Sequence, residues 1–481
     1  MGNPLFRTKS IERILADSDA PEHRLKRTLT AWDLTGLGIG AIIGTGIFVL
    51  IGTAIVGDAH RPGAGPGIML SFILSGITCA LAALCYAEFA AMIPVAGSAY
   101  TYSYATLGEF LAWLTGWNLI LEYGVACVAV AIGWSGYFNN ILKLCGLELP
   151  YWAIHPPGAD GGIANIPAAI IVLLVTGILI VGVKESARAT CGIVLIKLAV
   201  ITFFIAVGTS SIDTANWSPF MPFGFAGVGA AAAIVFFAYI GFDAVSTTAE
   251  EAKNPQRDLP IGIFASLAIC TVLYISVAAV LTGLVPYSQI DVHAPVAEGL
   301  RMVGFKWGAA IVATGAVAGI TSVLVVMMLG QIRVFFAMSR DGLLGPWLSG
   351  VHPKFRTPHH ATYLTGVAVA IMAALIPIGE AADMTNIGTL FAFVLVCIGI
   401  IVLRYTKPNH PRPFRMPLMP IVPILGVLAC LGLMYFLPWM TWIRFFVWTI
   451  LGILVYATYG MRHSKLATRS STEQAEAPRP A

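Results

Sequence analysis

The feature that most constrains this chain is an apolar run, residues 36–48, in which five of thirteen residues are glycine. Because glycine in a helix interior costs roughly 1 kcal/mol relative to alanine, this run is a poor sequence for an unbroken helix. Counted from Trp32 and Asp33, where the polar sequence ends, a rise of about 1.5 Å per residue places Gly44 near the middle of a bilayer core of about 30 Å. A helix interrupted at that depth exposes backbone groups that lipid cannot satisfy, so the break must line a cavity. The alternative is a close-packing surface, because Gly40 and Gly44 fit the small-xxx-small pattern of packed membrane helices.

Composition places the whole chain in the membrane. Hydrophobic residues make up 58% of the sequence and charged residues 11%, with a mean hydropathy of +0.83, whereas soluble domains carry about 25% charged residues. We therefore expect an all-α polytopic membrane protein with 12 transmembrane helices. The twelve apolar runs are residues 33–57, 66–93, 107–138, 164–183, 191–209, 226–248, 259–284, 306–338, 360–378, 384–404, 418–437 and 441–461.

The distribution of Lys and Arg predicts the orientation. With the N-terminus in the cytoplasm, the inner segments hold 22 of the 28 basic residues, as the positive-inside rule requires. Both termini are therefore predicted to be cytoplasmic, in a multi-pass protein of the plasma (inner) membrane. Residues 1–31 have apolar positions at helical spacing among basic ones, typical of an amphipathic helix on the membrane surface. Residues 464–481 are polar, with no aromatic residue, and are predicted to be a disordered cytoplasmic tail.

A second interruption is predicted in the sixth apolar run, where Gly241 and Asp243 follow residues 236–240. The two interruptions are five spans apart, and an odd number of crossings reverses the direction of the chain. Two antiparallel broken helices at this separation indicate a five-plus-five inverted repeat with its substrate site at the midplane. The repeats would be residues 32–209 (spans 1–5) and 226–404 (spans 6–10), followed by two further helices within 418–461.

Broken helices determine what such a site can bind. The N–H groups of Gly44, Thr45 and Gly46 at the start of a half-helix favour a carboxylate. Main-chain carbonyls near the two breaks favour an ammonium group. These carbonyls belong to Ile42, Phe237, Ala238 and Ile240. Together the two sets suit the zwitterionic part of an L-amino acid without any charged side chain.

Four sequence motifs carry a resemblance to a known family. They are residues 40–48 (GAIIGTGIF), 86–100 (YAEFAAMIPVAGSAY), 250–260 (EEAKNPQRDLP) and 336–342 (FAMSRDG). With them, the chain resembles the amino acid–polyamine–organocation (APC) superfamily of transporters, in particular its bacterial members similar to the cationic amino acid transporter branch. The resemblance covers nearly the whole chain and implies a LeuT-like fold, alternating access and amino acids as substrates. It also implies that the main-chain groups named above hold the carboxylate and the amine.

Three ionisable residues within predicted spans are candidates for proton coupling: Lys197, Glu122 and Asp243. Charges within a span are costly and are therefore functional by default. The resemblance implies that the Lys197 ammonium takes the place of a sodium ion between spans 1, 5 and 8, so that transport is proton-linked or uncoupled and independent of sodium. The alternatives are snorkelling of Lys197 to the inner interface and static polar bonds for the two carboxylates.

The prediction is therefore a secondary active amino acid transporter, with an exchanger or a transporter-like nutrient sensor as alternatives. Met327 in span 8 is predicted to face the substrate side chain. All nine histidines lie in loops or tails, which argues against an intramembrane enzyme, and the eight cysteines have no metal-ligand spacing. We accordingly expect no cofactor, no metal and no nucleic-acid partner, with lipid, protons and substrate as the interacting species. The sequence does not identify an accessory membrane subunit.

Overall fold

The computed structural model describes residues 7–11, 14, 28–95, 98–158, 161–182 and 187–466, and these residues form an all-helical structure. The α-helices are α1 (Ala31–Ile42), α2 (Ile51–Val56), α3 (Ile68–Met92), α4 (Ser98–Thr106), α5 (Glu109–Leu144), α6 (Ile166–Val181), α7 (Ala187–Thr209), α8 (Gly224–Val235), α9 (Ala244–Thr247), α10 (Pro255–Leu284), α11 (Pro295–Met302), α12 (Lys306–Arg340), α13 (His359–Leu375), α14 (Ile378–Thr406), α15 (Ile421–Tyr435), α16 (Trp439–Val455) and α17 (Met461–His463).

The lengths of these helices confirm a polytopic membrane protein. Within the described residues, eight helices are long and apolar enough to cross a membrane. The pair Ala31–Ile42 and Gly46–Val56, bent by 44°, makes nine if it counts as one span. Three shorter apolar helices, α6, α13 and α15, lie where the fourth, ninth and eleventh spans are predicted. The count of twelve crossings depends on these three and stays a prediction, as does the inverted repeat.

Capping starts the first span at the expected boundary. Thr30 is the N-cap of α1, and the Asp33 carboxylate accepts from the Thr30 N–H at 2.8 Å. Asp33 N–H donates in return to Thr30 Oγ1 at 3.4 Å, which completes a capping box. The acidic side chain also lies in the first turn, where the helix dipole favours it.

Two helices extend further than their apolar runs. α5 continues to Leu144 beyond the predicted end at residue 138, and α14 begins at Ile378 before the predicted start at residue 384. The polar residues in these extensions have partners elsewhere in the folded chain: Asn140 donates to Glu298 at 2.6 Å, and Asp383 pairs with Arg61 at 2.8 Å. A prediction from hydropathy alone therefore makes a span too short where the polar side chains at its end or start have such partners.

The segments predicted to be cytoplasmic are more closely packed than the sequence indicates. Most of the predicted surface helix of residues 1–31 lies outside the described residues, but Ile11 and Ile14 are buried within the protein. Ser464, predicted as the first residue of a disordered tail, is instead buried and donates to Glu109 Oε2 at 2.6 Å. Residues 467–481 of the tail lie outside the described residues. Glu88, at the end of α3, is also buried and accepts two hydrogen bonds from Arg404, at 2.7 and 2.6 Å.

Candidate functional site

The first break lies in the glycine-rich run. α1 ends at Ile42, and Ile43 takes an extended conformation with φ −75° and ψ 104°. The chain then resumes as a π-helical turn, Gly46–Leu50, which continues into α2. The Tyr137 hydroxyl of α5 donates to the Phe48 carbonyl in this turn at 2.7 Å. The interrupted backbone is thus packed against the protein interior rather than against lipid, as a break at this depth requires.

Lys197 of α7 binds the carbonyls around the first break. Its Nζ donates to the Gly40 carbonyl at 2.6 Å and to the Ile43 carbonyl at 3.0 Å. The side chain is fully buried, and its methylene groups pass Gly319 of α12, where an added Cβ would lie 3.1 Å from Lys197 Cγ. Within the described part of the chain, Lys197 has no carboxylate within ion-pair distance. The ammonium therefore connects α1, α7 and α12 through main-chain oxygens and close packing, and it is not exposed at the protein surface.

The second break interrupts the sixth span. α8 ends at Val235, a 3₁₀ turn covers Phe236–Tyr239, and Ile240 is extended with φ −60° and ψ 135°. Gly241 has φ +117°, a conformation that other residues rarely adopt, and an added Cβ would lie 3.0 Å from the Ala41 carbonyl. The glycine is therefore required both by its own backbone conformation and by the approach of α1.

The two breaks contact each other directly. A Cβ placed on Gly46 would lie 2.3 Å from Ala238 Cα, so the segments meet through main-chain atoms. The Tyr274 hydroxyl of α10 lies between them, 3.0 Å from the Ile42 carbonyl and 2.9 Å from the Ala238 carbonyl. A single hydroxyl proton thus serves one carbonyl from each broken helix.

A small cavity lies between the breaks, and its lining residues are all uncharged. They are Ala41, Ile42, Gly44, Thr45, Gly46, Ala126, Val130, Phe237, Ile240, Val323 and Met327. Seven of the eight residues predicted to bind substrate are in this set. The exception is Ala238, whose carbonyl bonds to Tyr274. Thr45 Oγ1 is buried without a hydrogen-bond partner in the described structure and lies beside Gly133 of α5.

Three of the four carbonyls predicted to hold an amine already have donors. Phe237 O accepts from the Ile240 N–H at 3.3 Å, and the Ile42 and Ala238 carbonyls share Tyr274. A carbonyl oxygen has two lone pairs, so each of these three can accept one further N–H. The three carbonyls can therefore coordinate an ammonium group, and the Tyr274 hydroxyl already uses part of the acceptor capacity of the Ile42 and Ala238 oxygens.

The two candidate carboxylates, Asp243 and Glu122, have contacts that do not involve Lys197. Asp243 accepts from the Tyr123 hydroxyl of α5 at 3.1 Å. Glu122 is buried on α5 and faces α14, where a Cβ on Gly388 would lie 3.9 Å from Glu122 Cβ. One oxygen of each carboxylate, Glu122 Oε1 and Asp243 Oδ1, has no partner among the described residues.

The sequence of this chain is similar to that of known proteins over most of its length. The amino acid permease family matches residues 29–459, nearly the whole chain. The chain belongs to the amino acid permease family. This permease is 50% identical over 470 residues to the branched-chain amino acid permease BcaP of Bacillus subtilis (strain 168), covering 97% of this chain and 100% of the relative. It is 50% identical over 463 residues to the methylthioribose transporter of Bacillus subtilis (strain 168), covering 96% and 99%. It is 38% identical over 416 residues to the vacuolar cationic amino acid transporter 4 of Arabidopsis thaliana, covering 85% and 68%.

The family and these relatives confirm the resemblance to APC transporters and identify the permease as a transport protein rather than an enzyme. Two residues that the geometry singles out, Tyr274 and Asn386, were not predicted from the sequence. Both are fully buried polar side chains within membrane helices, and each donates to carbonyls of a broken span. A survey of uncharged polar residues in the apolar runs would have included both, although together with many others of no consequence.

Proposed function

We propose that this permease carries L-amino acids with small, uncharged side chains across the plasma membrane by alternating access. The observation that supports this most directly is the cavity between two broken helices. Gly44, Thr45 and Gly46 line it together with Phe237 and Ile240 of the sixth span, and we infer that their main-chain N–H and carbonyl groups serve a bound solute. That combination suits a carboxylate and an ammonium group on one molecule.

The side chains of the cavity favour a neutral substrate. Val323, Met327, Ala126 and Val130 are apolar, and none of the eleven lining residues carries a charge that would pair with a lysine or arginine substrate. An unpaired cation in such a site would be costly. The name of the branched-chain relative is consistent with an aliphatic substrate.

The methylthioribose relative, which is also 50% identical to this chain, indicates a different candidate solute. A thioether sugar has neither a carboxylate nor an ammonium group, so it would leave both sets of main-chain groups without their matching charges. For this reason we favour the amino acid, and a direct competition between the two solutes separates them.

We propose that transport is proton-coupled and independent of sodium, within a five-plus-five inverted repeat. The Lys197 ammonium lies against α1 and α12, the place where the resemblance puts a sodium ion in sodium-coupled relatives. Lys197, Glu122 and Asp243 are the candidate proton carriers, and the two alternatives are exchange without net proton movement and a sensor that binds without transport.

The test uses the purified protein in liposomes. We expect radiolabelled L-leucine or L-alanine to accumulate under an inward proton gradient without sodium. Unlabelled neutral amino acids should compete, and arginine and methylthioribose should not. Competition by methylthioribose alone would contradict the amino acid assignment, and accumulation that requires sodium at symmetric pH would contradict the coupling. Exchange without accumulation would favour the exchanger, and binding without exchange would favour the sensor.

A further inference from the structure

The start of the second break has no cause in its own sequence. Residues 230–240 read AAAAIVFFAYI, and neither glycine nor proline interrupts them before Gly241. The four alanines lie inside α8, and residues 234–240 are mostly β-branched or aromatic. Such residues cost a helix less than about 0.7 kcal/mol each, so none of them by itself stops α8 before the glycine. Instead α8 ends at Val235, six residues earlier. The chain changes there to the 3₁₀ turn Phe236–Tyr239, ahead of the extended Ile240, and a contact from elsewhere in the protein can set the position of that change.

Asn386 of α14 makes that contact. Its side chain is fully buried, and Nδ2 donates to the Ala233 carbonyl at 2.7 Å, with the Ile234 carbonyl at 3.4 Å. Both carbonyls belong to the last turn of α8, where regular α-helical hydrogen bonding stops, and the Ile234 carbonyl also accepts from the Phe236 N–H. Leaving such a group unsatisfied away from water costs about 1–3 kcal/mol. The amide therefore compensates for ending the helix at this point.

The same helix supports the chain beyond the break. Phe393, seven residues after Asn386 and so on the same face of α14, packs edge-on against Phe236 with ring centroids 5.9 Å apart. Its ring centroid also lies 5.2 Å from that of Phe242, just after Gly241. α14 thus contacts the sixth span on both sides of the break. Asn386 bonds to the chain before it, and Phe393 packs against the chain after it.

We propose that Asn386 is a positioning residue for substrate binding: by capping α8 it fixes where the sixth span breaks. That position determines where Phe237 and Ile240 line the cavity and where their carbonyls point. Asn386 does not line the cavity itself and acts through α8. The inference rests on the proposed function, because it assigns the residue a role in holding the amine-binding carbonyls.

Two substitutions at this position and one matched control test the proposal. Asn386→Leu keeps the approximate size of the side chain and removes the amide donor, whereas Asn386→Gln keeps an amide on a longer stem. The control is Ser71→Ala. The Ser71 hydroxyl donates at 2.8 Å to the Val228 carbonyl, which lies in the first turns of the same helix, where carbonyls have intrahelical partners. A substitution that merely weakens packing around α8 would affect the control as well.

We expect Asn386→Leu to weaken binding of L-leucine to the purified protein, and to raise its KM in exchange, by about tenfold, a change that corresponds to about 1.4 kcal/mol. The kcat should change less than twofold. Asn386→Gln should recover part of the loss, and Ser71→Ala should stay within twofold of the unmodified protein. Unchanged binding in Asn386→Leu, or an equal loss in Ser71→Ala, would overturn the proposal.

A second measurement needs no substrate and separates this inference from the proposed function. Hydrogen exchange of the substrate-free protein should become faster in peptides covering residues 233–240 in Asn386→Leu, because the helix end is no longer fixed. Exchange in α3 and α12 should be unchanged. If exchange at 233–240 is unaltered, Asn386 does not determine the break, whatever solute the permease carries. If exchange changes but the unmodified protein binds no amino acid, the proposed substrate is wrong and the capping role stands.

Discussion

The two broken spans are held by different kinds of donors. At the first break an ammonium group, Lys197 Nζ, donates to two carbonyls, and at the second a neutral amide, Asn386 Nδ2, does so. An ammonium group can lose a proton and with it the charge that strengthens these bonds, whereas an amide cannot. We therefore propose that the first break responds to protons, since a proton shifts an equilibrium between conformations only by its differential affinity for them. The second break, which is bonded by an amide that does not titrate, would keep its shape throughout the transport cycle.

The contact shared by both breaks gives the largest expected effect. Gly46→Val should abolish amino acid binding, because its Cβ would lie 2.3 Å from Ala238 Cα and its branches would cover the main-chain N–H groups. Gly44→Ala should be milder, since its Cβ would meet Val323 Cγ2, the end of a side chain, at 2.9 Å. Binding of L-leucine by both purified variants measures this. Normal binding by Gly46→Val would show that the Gly44–Gly46 segment does not hold the carboxylate.

The next substitution acts on the first break alone. Lys197→Ala should lose proton-driven uptake, because it removes the donor to the Gly40 and Ile43 carbonyls and the proton with it. Exchange at symmetric pH should partly survive. The companion variant, Lys197→Arg, keeps a cation that stays protonated in proteins, so it should retain exchange and still lose the response to a proton gradient. Uptake and exchange in liposomes test both. If Lys197→Arg responds normally to the gradient, a carboxylate, Glu122 or Asp243, carries the proton instead.

Tyr274→Phe should have a smaller effect on both breaks together. It removes the hydroxyl from between the Ile42 and Ala238 carbonyls, and a hydrogen bond of this kind contributes about 0.5–1.5 kcal/mol. We expect a rise in KM of roughly threefold to tenfold, with uptake retained. Competition for binding measures the change. A lower KM would mean that the hydroxyl competes with the substrate amine for these carbonyls rather than fixing their positions.

The smallest effect is expected where neither break is altered. Met327→Ser shortens a side chain that lines the cavity from α12. Uptake of small amino acids should change little, whereas neutral amino acids with longer side chains should begin to compete. A competition panel checks this against the unmodified protein. An unchanged profile would place the Met327 side chain away from the substrate and leave Met328 as the next residue to substitute.

The sequence predicted those parts of the site that interrupt a pattern. Glycines in an apolar run located the first break, and Gly241 with Asp243 located the lower end of the second, because both violate helix propensity or hydropathy. Lys197 was visible for the same reason. Such residues contrast with their surroundings within a few positions of the chain, so no tertiary information is needed to find them.

The parts that were missed depend on contacts distant in sequence. The end of α8 at Val235 follows from Asn386, 153 residues away from Ala233, and no local signal marks it. Tyr274 is an ordinary aromatic residue until its hydroxyl is found between two carbonyls. Ser464 was predicted to lie in a disordered tail because local composition cannot reveal its bond to Glu109.

The polar part of the cavity consists largely of main-chain atoms, which every amino acid except proline supplies in full. Mutation can reshape the apolar wall at Val323 or Met327 one side chain at a time, while the N–H and carbonyl groups are inherited unaltered. A lineage built on this plan can therefore change its solute in small steps without first losing the means to bind one. Two relatives that are each 50% identical to this chain are named for a branched-chain amino acid and for a thioether sugar.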